Sequence, residues 1–159
     1  MNKELLLKEL HFLKDNMSHY ILMYEEDLAD WTPHNNLRSL FSLVNHISGI
    51  PMMTAAILEQ LPDECIFPLD EPFMVQHIDT PGLYHFFLNG FKKLETFVNA
   101  IPNDEFNTKL IRHPFGEKVT PAKVTFDAIT HLYHHRGQLH NYLKELGHSI
   151  STDTLFINS

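Results

Sequence analysis

Cysteine is almost absent from this chain: Cys65 is the only one in 159 residues. A lone cysteine excludes an internal disulfide and a multi-cysteine zinc site, so any metal must be held by nitrogen and oxygen. It lies in Pro62-Asp63-Glu64-Cys65-Ile66-Phe67-Pro68 with no basic neighbour to lower its pKa. That context reads as a half-buried loop thiol rather than a nucleophile. Positive charge is also scarce, with 12 Lys and Arg against 20 Asp and Glu and a formal charge of −8. A surface of that sign has no general attraction for phosphate backbones, so no nucleic-acid partner is expected. No run of about eighteen apolar residues is present, and MNKELLLKEL at the start alternates charges with leucines instead of showing a signal peptide. The expectation is a cytoplasmic protein without a membrane partner.

What is present is an ordinary globular composition, 43% hydrophobic and 20% charged, which suits a packed chain rather than a disordered one. Residues 1–159 are expected to form a single domain with a substantial core. No internal repeat, low-complexity segment or linker stands out.

Apolar residues recur every three or four positions in four segments, and no segment alternates as a strand does. The first runs from Asn2 to about Leu28 through Leu6, Leu10, Leu13, Met17, Tyr20, Ile21 and Tyr24. It ends before Pro33, which disfavours helical geometry at the preceding residue. The second runs from near Leu37 or Ser39 to Gln60, and Pro51 inside it predicts a kink just beyond His46. Thr80-Pro81 and Thr120-Pro121 each read as a helix start, threonine as N-cap and proline at the first helical position. These helices run to about Ala100 and to a C-cap at Gly147. Leu61 to Thr80 and Ile101 to Thr120 are then long connections, and such lengths imply a segment that crosses the bundle or covers a site. Ser149 to Ser159 is a tail. The predicted fold class is all-α, a four-helix bundle with long connections between helices two and three and between three and four. Phe126, Ile129 and Tyr133 lie away from the core face of the last helix, so the tail or a second subunit should cover them. A homodimer is expected.

Histidine is abundant: there are 12, and the last helix carries His131, His134, His135 and His140. Each helical residue turns by roughly 100°, so His131 and His135 project from one face about a turn apart. Val124, Ala128, Leu139, Tyr142 and Leu146 share that direction, which places both rings in the inward stripe. Burying an unpaired polar ring is costly, so each needs a partner. Spacing alone leaves two candidates, a metal or the polar groups of a satisfied core, because chance would supply roughly one such pair among this many histidines. A metal site in a bundle draws on facing helices, and His46 on the second helix would give a third nitrogen. Three protein ligands leave a position for water or substrate, as in catalytic zinc sites, whereas structural zinc is closed by four. Asp127, one turn before His131, is placed either to accept the far imidazole N–H or to stay solvated. His134 and His140 point progressively away from the stripe, as groups behind the ligands or at the surface.

The order Trp31-x-Pro33, Leu43-Val44-Asn45-His46-Ile47 and His131-x3-His135-Arg136-Gly137-Gln138, with a helix ending at Leu146-Gly147, resembles the DinB/YfiT-like family over nearly the whole chain. The resemblance implies a four-helix bundle that binds a divalent metal through one histidine of helix two and two of helix four, here His46, His131 and His135. Zinc or nickel suits imidazole ligands, with iron and manganese as further candidates. Gln138 also matches the motif and joins Asp127 and His134 as a supporting candidate. Some relatives are thiol-dependent transferases. That implies an S-transferase type of reaction, in which the open position activates a low-molecular-weight thiol toward a small-molecule substrate. The alternatives are a metal-activated-water hydrolase and a non-catalytic, stress-related dimeric bundle that binds metal or a ligand.

Overall fold

The computed structural model describes residues 1–156. Its helices are α1 (Lys3–Leu22), α2 (Leu40–Leu58), α3 (Asp63–Ile66), α4 (Thr80–Ala100), α5 (Asn103–Phe106) and α6 (Pro121–Glu145). The four long ones form the bundle, and the single turns α3 and α5 lie in the two long connections. Among the described residues the only β-type pairing is a bridge between Ile111 and Val119.

Each long helix starts where a side chain can accept an otherwise orphaned backbone N–H. Asn2, Ser39, Asp79 and Thr120 do this for Leu5, Ser42, Gly82 and Lys123. The expected cap at Thr80 is therefore displaced by one residue to Asp79. Thr80 is occupied differently, its backbone N–H donating to Glu26 Oε1 at 3.1 Å. The first helix is also shorter than its apolar pattern suggested, ending at Leu22 before a separate 3-10 turn over Glu26–Leu28. Carboxylates at a helix C-terminus oppose its dipole, and here Glu25 and Glu26 serve other elements, Glu25 pairing with His148 at 3.0 Å.

Helices α1 and α2 each pack on both α4 and α6, so they occupy opposite corners of the bundle. Leu10, Leu13 and Met17 of α1, Ile47 and Ile50 of α2, Phe87 and Leu94 of α4, and Leu132 and Leu139 of α6 share one core. Gly90 lets α4 approach α2 closely, because a Cβ there would meet the Met52 backbone nitrogen at 2.7 Å. α2 is the one described helix long and apolar enough to cross a membrane. No such run was expected from the sequence. In the fold 89% of that stretch is buried, against α4, α6 and the short turns that follow α2.

The tail folds back along α1 and α6 as a 3-10 turn over Thr152–Phe156. Asn16 Nδ2 donates to Thr154 O at 3.0 Å and Arg136 Nη1 to Leu155 O at 2.9 Å. Residues 157–159 of the expected tail lie outside the described residues. Of the three apolar residues expected to need cover, Ile129 is buried, Tyr133 is half-buried and stacks on Phe12, and Phe126 stays 42% exposed.

The connection after α2 positions the site. α3 runs directly into a 3-10 turn at Phe67–Leu69. It lies flat on α2 because position 49 has no side chain: a Cβ there would fall 2.0 Å from Leu69 O. Phe73 N–H donates to the buried Asn45 Oδ1 at 3.2 Å and ties down the end of the strap.

Candidate metal centre

His46 faces His131 and His135 across the α2–α6 contact. The three Nε2 atoms form a triangle with sides of 3.2 Å (46–131), 3.0 Å (46–135) and 2.9 Å (131–135). His46 and His135 are buried and His131 is half-buried.

The hydrogen bonds on the far sides of the rings decide what the triangle can be. His46 Nδ1 lies 3.0 Å from Asp70 Oδ1 and 3.1 Å from Asp70 O. Both are acceptors, so Nδ1 carries the proton and Nε2 of a neutral ring is a bare lone pair. His135 Nδ1 lies 2.6 Å from Gln138 Oε1, again an acceptor, and the same assignment follows. Two lone pairs thus point at each other across 3.0 Å. A proton could bridge them only on a charged ring, and charging is opposed. Burial, outweighing the neighbouring Asp70, pushes His46 down to about 4. Burial also pulls His131 and His135 to about 4, helped by the neighbouring histidines and Arg38. Near neutral pH the trio is a set of uncharged donors converging on one point.

A cation is the group that such a set fits. Zinc–nitrogen bonds of about 2.0–2.1 Å at tetrahedral angles place ligand nitrogens roughly 3.3–3.4 Å apart, close to the spacing seen here. The carboxylate–histidine and amide–histidine contacts are also those that orient imidazoles for a metal.

The triad opens into a cavity of about 430 Å³ between α2 and α6. Met53 and Ile57 of α2 and Val124 and Ala128 of α6 form its walls, and His113 and Phe115 approach from the connection before α6. The apolar lining comes from these elements and not from α1. The two connections meet where the Phe67 and Phe115 rings lie 5.7 Å apart.

The remaining sequence candidates fall in different places. Gln138 holds His135, as described. His134 is exposed and sets its ring edge-on to that of His135, centroids 4.8 Å apart. Asp127 lines the cavity, but both its oxygens are bound by Lys123 Nζ, at 2.5 and 2.7 Å. His140 is buried away from the triad with Nδ1 2.8 Å from the Tyr20 hydroxyl. Arg136 lies over Tyr133, 4.5 Å from the ring centroid. Cys65 is exposed. The residue that sequence reasoning missed is Asp70, and nothing local marks it: it sits in a proline-rich connection whose path is set by Gly49 and Asn45.

Comparison with known proteins agrees with the fold. Residues 111–158 match the DinB family model. This segment contains His131 and His135 but not His46. A DinB-like protein from Bacillus subtilis has the same fold, with TM-score 0.67 and 18% identity over 91% of this chain and 94% of that one. A crystal structure from Exiguobacterium sibiricum, assigned to the DinB family, superposes with TM-score 0.74 and 18% identity over 96% of each chain. The fold is DinB-like. No curated protein sequence matches it. At these identities the likeness to the DinB-like structures concerns the fold, and the case for the metal rests on the triad itself.

Proposed function

We propose that this chain is a divalent-metal-dependent enzyme in which His46, His131 and His135 hold the ion, zinc or nickel in the first place. Its remaining coordination position activates a low-molecular-weight thiol for transfer to a small electrophile. The observation that carries this reading is the pair of facing Nε2 lone pairs, fixed by Asp70 and Gln138 on the far sides of the rings. When bound, the metal supplies Lewis acidity that lowers the pKa of a coordinated thiol or water.

The chain's own residues have the complementary tasks. Asp70 and Gln138 hold the rings in one tautomer and one orientation, and the apolar walls limit water around the reacting atoms. The chain's one thiol cannot act as the nucleophile here, because Cys65 is exposed and does not line the cavity. The sulfur therefore comes from a second molecule. Its proton leaves to solvent, the S–C bond forms, and the bond to the electrophile's leaving group breaks. Hydrolysis would use the same ligands, with a coordinated water in place of the thiol; the apolar walls, which suit an organic sulfur compound better than water, favour the thiol. A cytoplasmic homodimer remains part of the proposal, with exposed Phe126 on α6 as apolar surface for a second copy.

Elemental analysis of untagged protein purified without added metal, beside His46→Ala, tests the centre. Near one metal per chain, lost in the variant, is expected, followed by thiol-dependent consumption of an electrophile in the metal-loaded form. Absence of metal after incubation with zinc overturns the reading and leaves a ligand-binding or interaction module.

A further inference from the structure

The cavity beside the triad is more selective than its size suggests. Every charged side chain in its lining is already engaged within the protein. Arg38 is in an ion pair with Glu71 and donates to Ser42 Oγ at 3.2 Å. Asp70 sits on His46 Nδ1, and Asp127 is bound by Lys123. Two polar groups are partly occupied: Thr54 Oγ1 donates to Ile50 O at 2.7 Å, and His113 Nδ1 accepts the Phe115 N–H at 3.3 Å. What faces the space without a polar obligation is Met53, Ile57, Val124, Ala128 and Phe115.

The layout is elongated. A helical rise of about 1.5 Å per residue sets Ile57 roughly 16 Å from His46 along α2, and Val124 roughly 10 Å from His131 along α6. One end is the triad, and His113 and Phe115 line the space from the connection before α6. A volume of about 430 Å³ lies within the range of small-molecule sites, in which a mostly apolar surface supplies affinity and a few polar atoms fix orientation. Away from the triad, a carboxylate or phosphate seated against Met53, Ile57, Val124 and Ala128 would lose its water with no cationic side chain among these neighbours to replace it, which is strongly unfavourable.

We infer that the molecule seated in this cavity is uncharged and largely apolar, the size of a substituted aromatic ring or a short alkyl chain, with one metal-seeking atom at the end facing His46, His131 and His135. This deepens the reading of the site as a thiol-activating metal centre and rests on it. It sets neutral aryl or alkyl thiols apart from small polar thiols and from anionic, peptide-like ones.

The test uses the full chain loaded with Co²⁺, whose absorption changes when sulfur coordinates. Phenylmethanethiol should bind roughly tenfold or more tighter than 2-mercaptoethanol, because a buried ring adds apolar area. 4-(Mercaptomethyl)benzoate, the same body with a carboxylate, should bind at least about tenfold weaker than phenylmethanethiol. Ala128→Phe fills the apolar half of the cavity and should abolish the phenyl preference while cobalt and 2-mercaptoethanol still bind. If that variant does not fold, Phe115→Ala, at a position 68% exposed, should reduce the same preference. Equal affinity for the three thiols, or tighter binding of the carboxylate form, overturns the inference. The metal-free chain separates the two failures: benzyl alcohol should raise its Tm and benzoate should not. A lost cobalt signal with that difference intact overturns only the metal reading. Loss of the difference overturns the cavity inference whatever the metal does.

Discussion

His46 Nδ1 touches Asp70 twice, at 3.0 Å to the side-chain carboxylate and 3.1 Å to the backbone carbonyl, although most of α2 and two short turns separate them in sequence. The contact fixes the His46 proton on Nδ1 and points Nε2 at the triad. Asp70→Ala should therefore weaken metal binding about 10- to 100-fold, the usual cost of losing a group that orients a ligand. Gln138→Ala should act in the same direction through His135. Competition with a chromophoric chelator measures both, with far-UV circular dichroism expected to stay native-like. Unchanged affinity in both variants would mean that packing alone orients the rings.

Gly49→Ala should disturb the same ligand from further away. Its Cβ would meet Leu69 O at 2.0 Å and the Pro72 ring at 3.2 Å, and a backbone oxygen cannot turn aside as a side chain can. The strap carrying Asp70 must lift, costing about 1–3 kcal/mol of stability and weakening the metal site together with it. Gly137→Ala is the control: the position has open space around it, so it should gain up to about 1 kcal/mol from helix propensity. Urea unfolding of the two variants gives the comparison, and equal stabilities would contradict the steric account.

Much of this arrangement could be read from the sequence because it is periodic. Four apolar repeats mark the long helices, and His131 and His135 share a face by spacing alone. His46 enters through the facing helix and the resemblance to DinB-like chains. Asp70 could not be read in this way, because its position depends on a backbone approach over Gly49 and an anchor at Asn45, neither of which leaves a periodic trace. The cap at Asp79 instead of Thr80 has a similar cause: Glu26, distant in sequence, takes the Thr80 N–H. Local rules find elements; contacts between connections and helix faces need the tertiary structure.

The metal-free chain should lose stability on acidification. Each triad imidazole has a folded pKa of about 4, against 6.5 for an unperturbed ring. Between those values the unfolded chain binds protons that the folded chain refuses, so stability rises with pH across this window and levels off above it. Urea midpoints at pH 5 and pH 7.5 should differ in that order, and replacing His46 should reduce the difference. A midpoint that is higher at pH 5 would mean that the rings are charged in the folded state.

His140 tests whether a buried histidine on α6 must serve the metal. Its Nδ1 lies 2.8 Å from the Tyr20 hydroxyl, both residues are buried, and the pair bridges α1 to α6 outside the triad. Burial raises the tyrosine pKa and lowers the histidine pKa, so the pair is neutral and each ring satisfies the other. Tyr20→Phe leaves a buried imidazole nitrogen without its partner and should cost about 1–3 kcal/mol, while metal content stays at the wild-type level. His135→Ala should do the reverse, removing most bound metal from a chain that remains largely folded, since the apolar stripes of the four helices do not include its ring nitrogens. Measuring metal content and unfolding midpoint on both variants separates a histidine that joins helices from one that holds an ion. A Tyr20→Phe chain that lost its metal would place His140 in the centre after all.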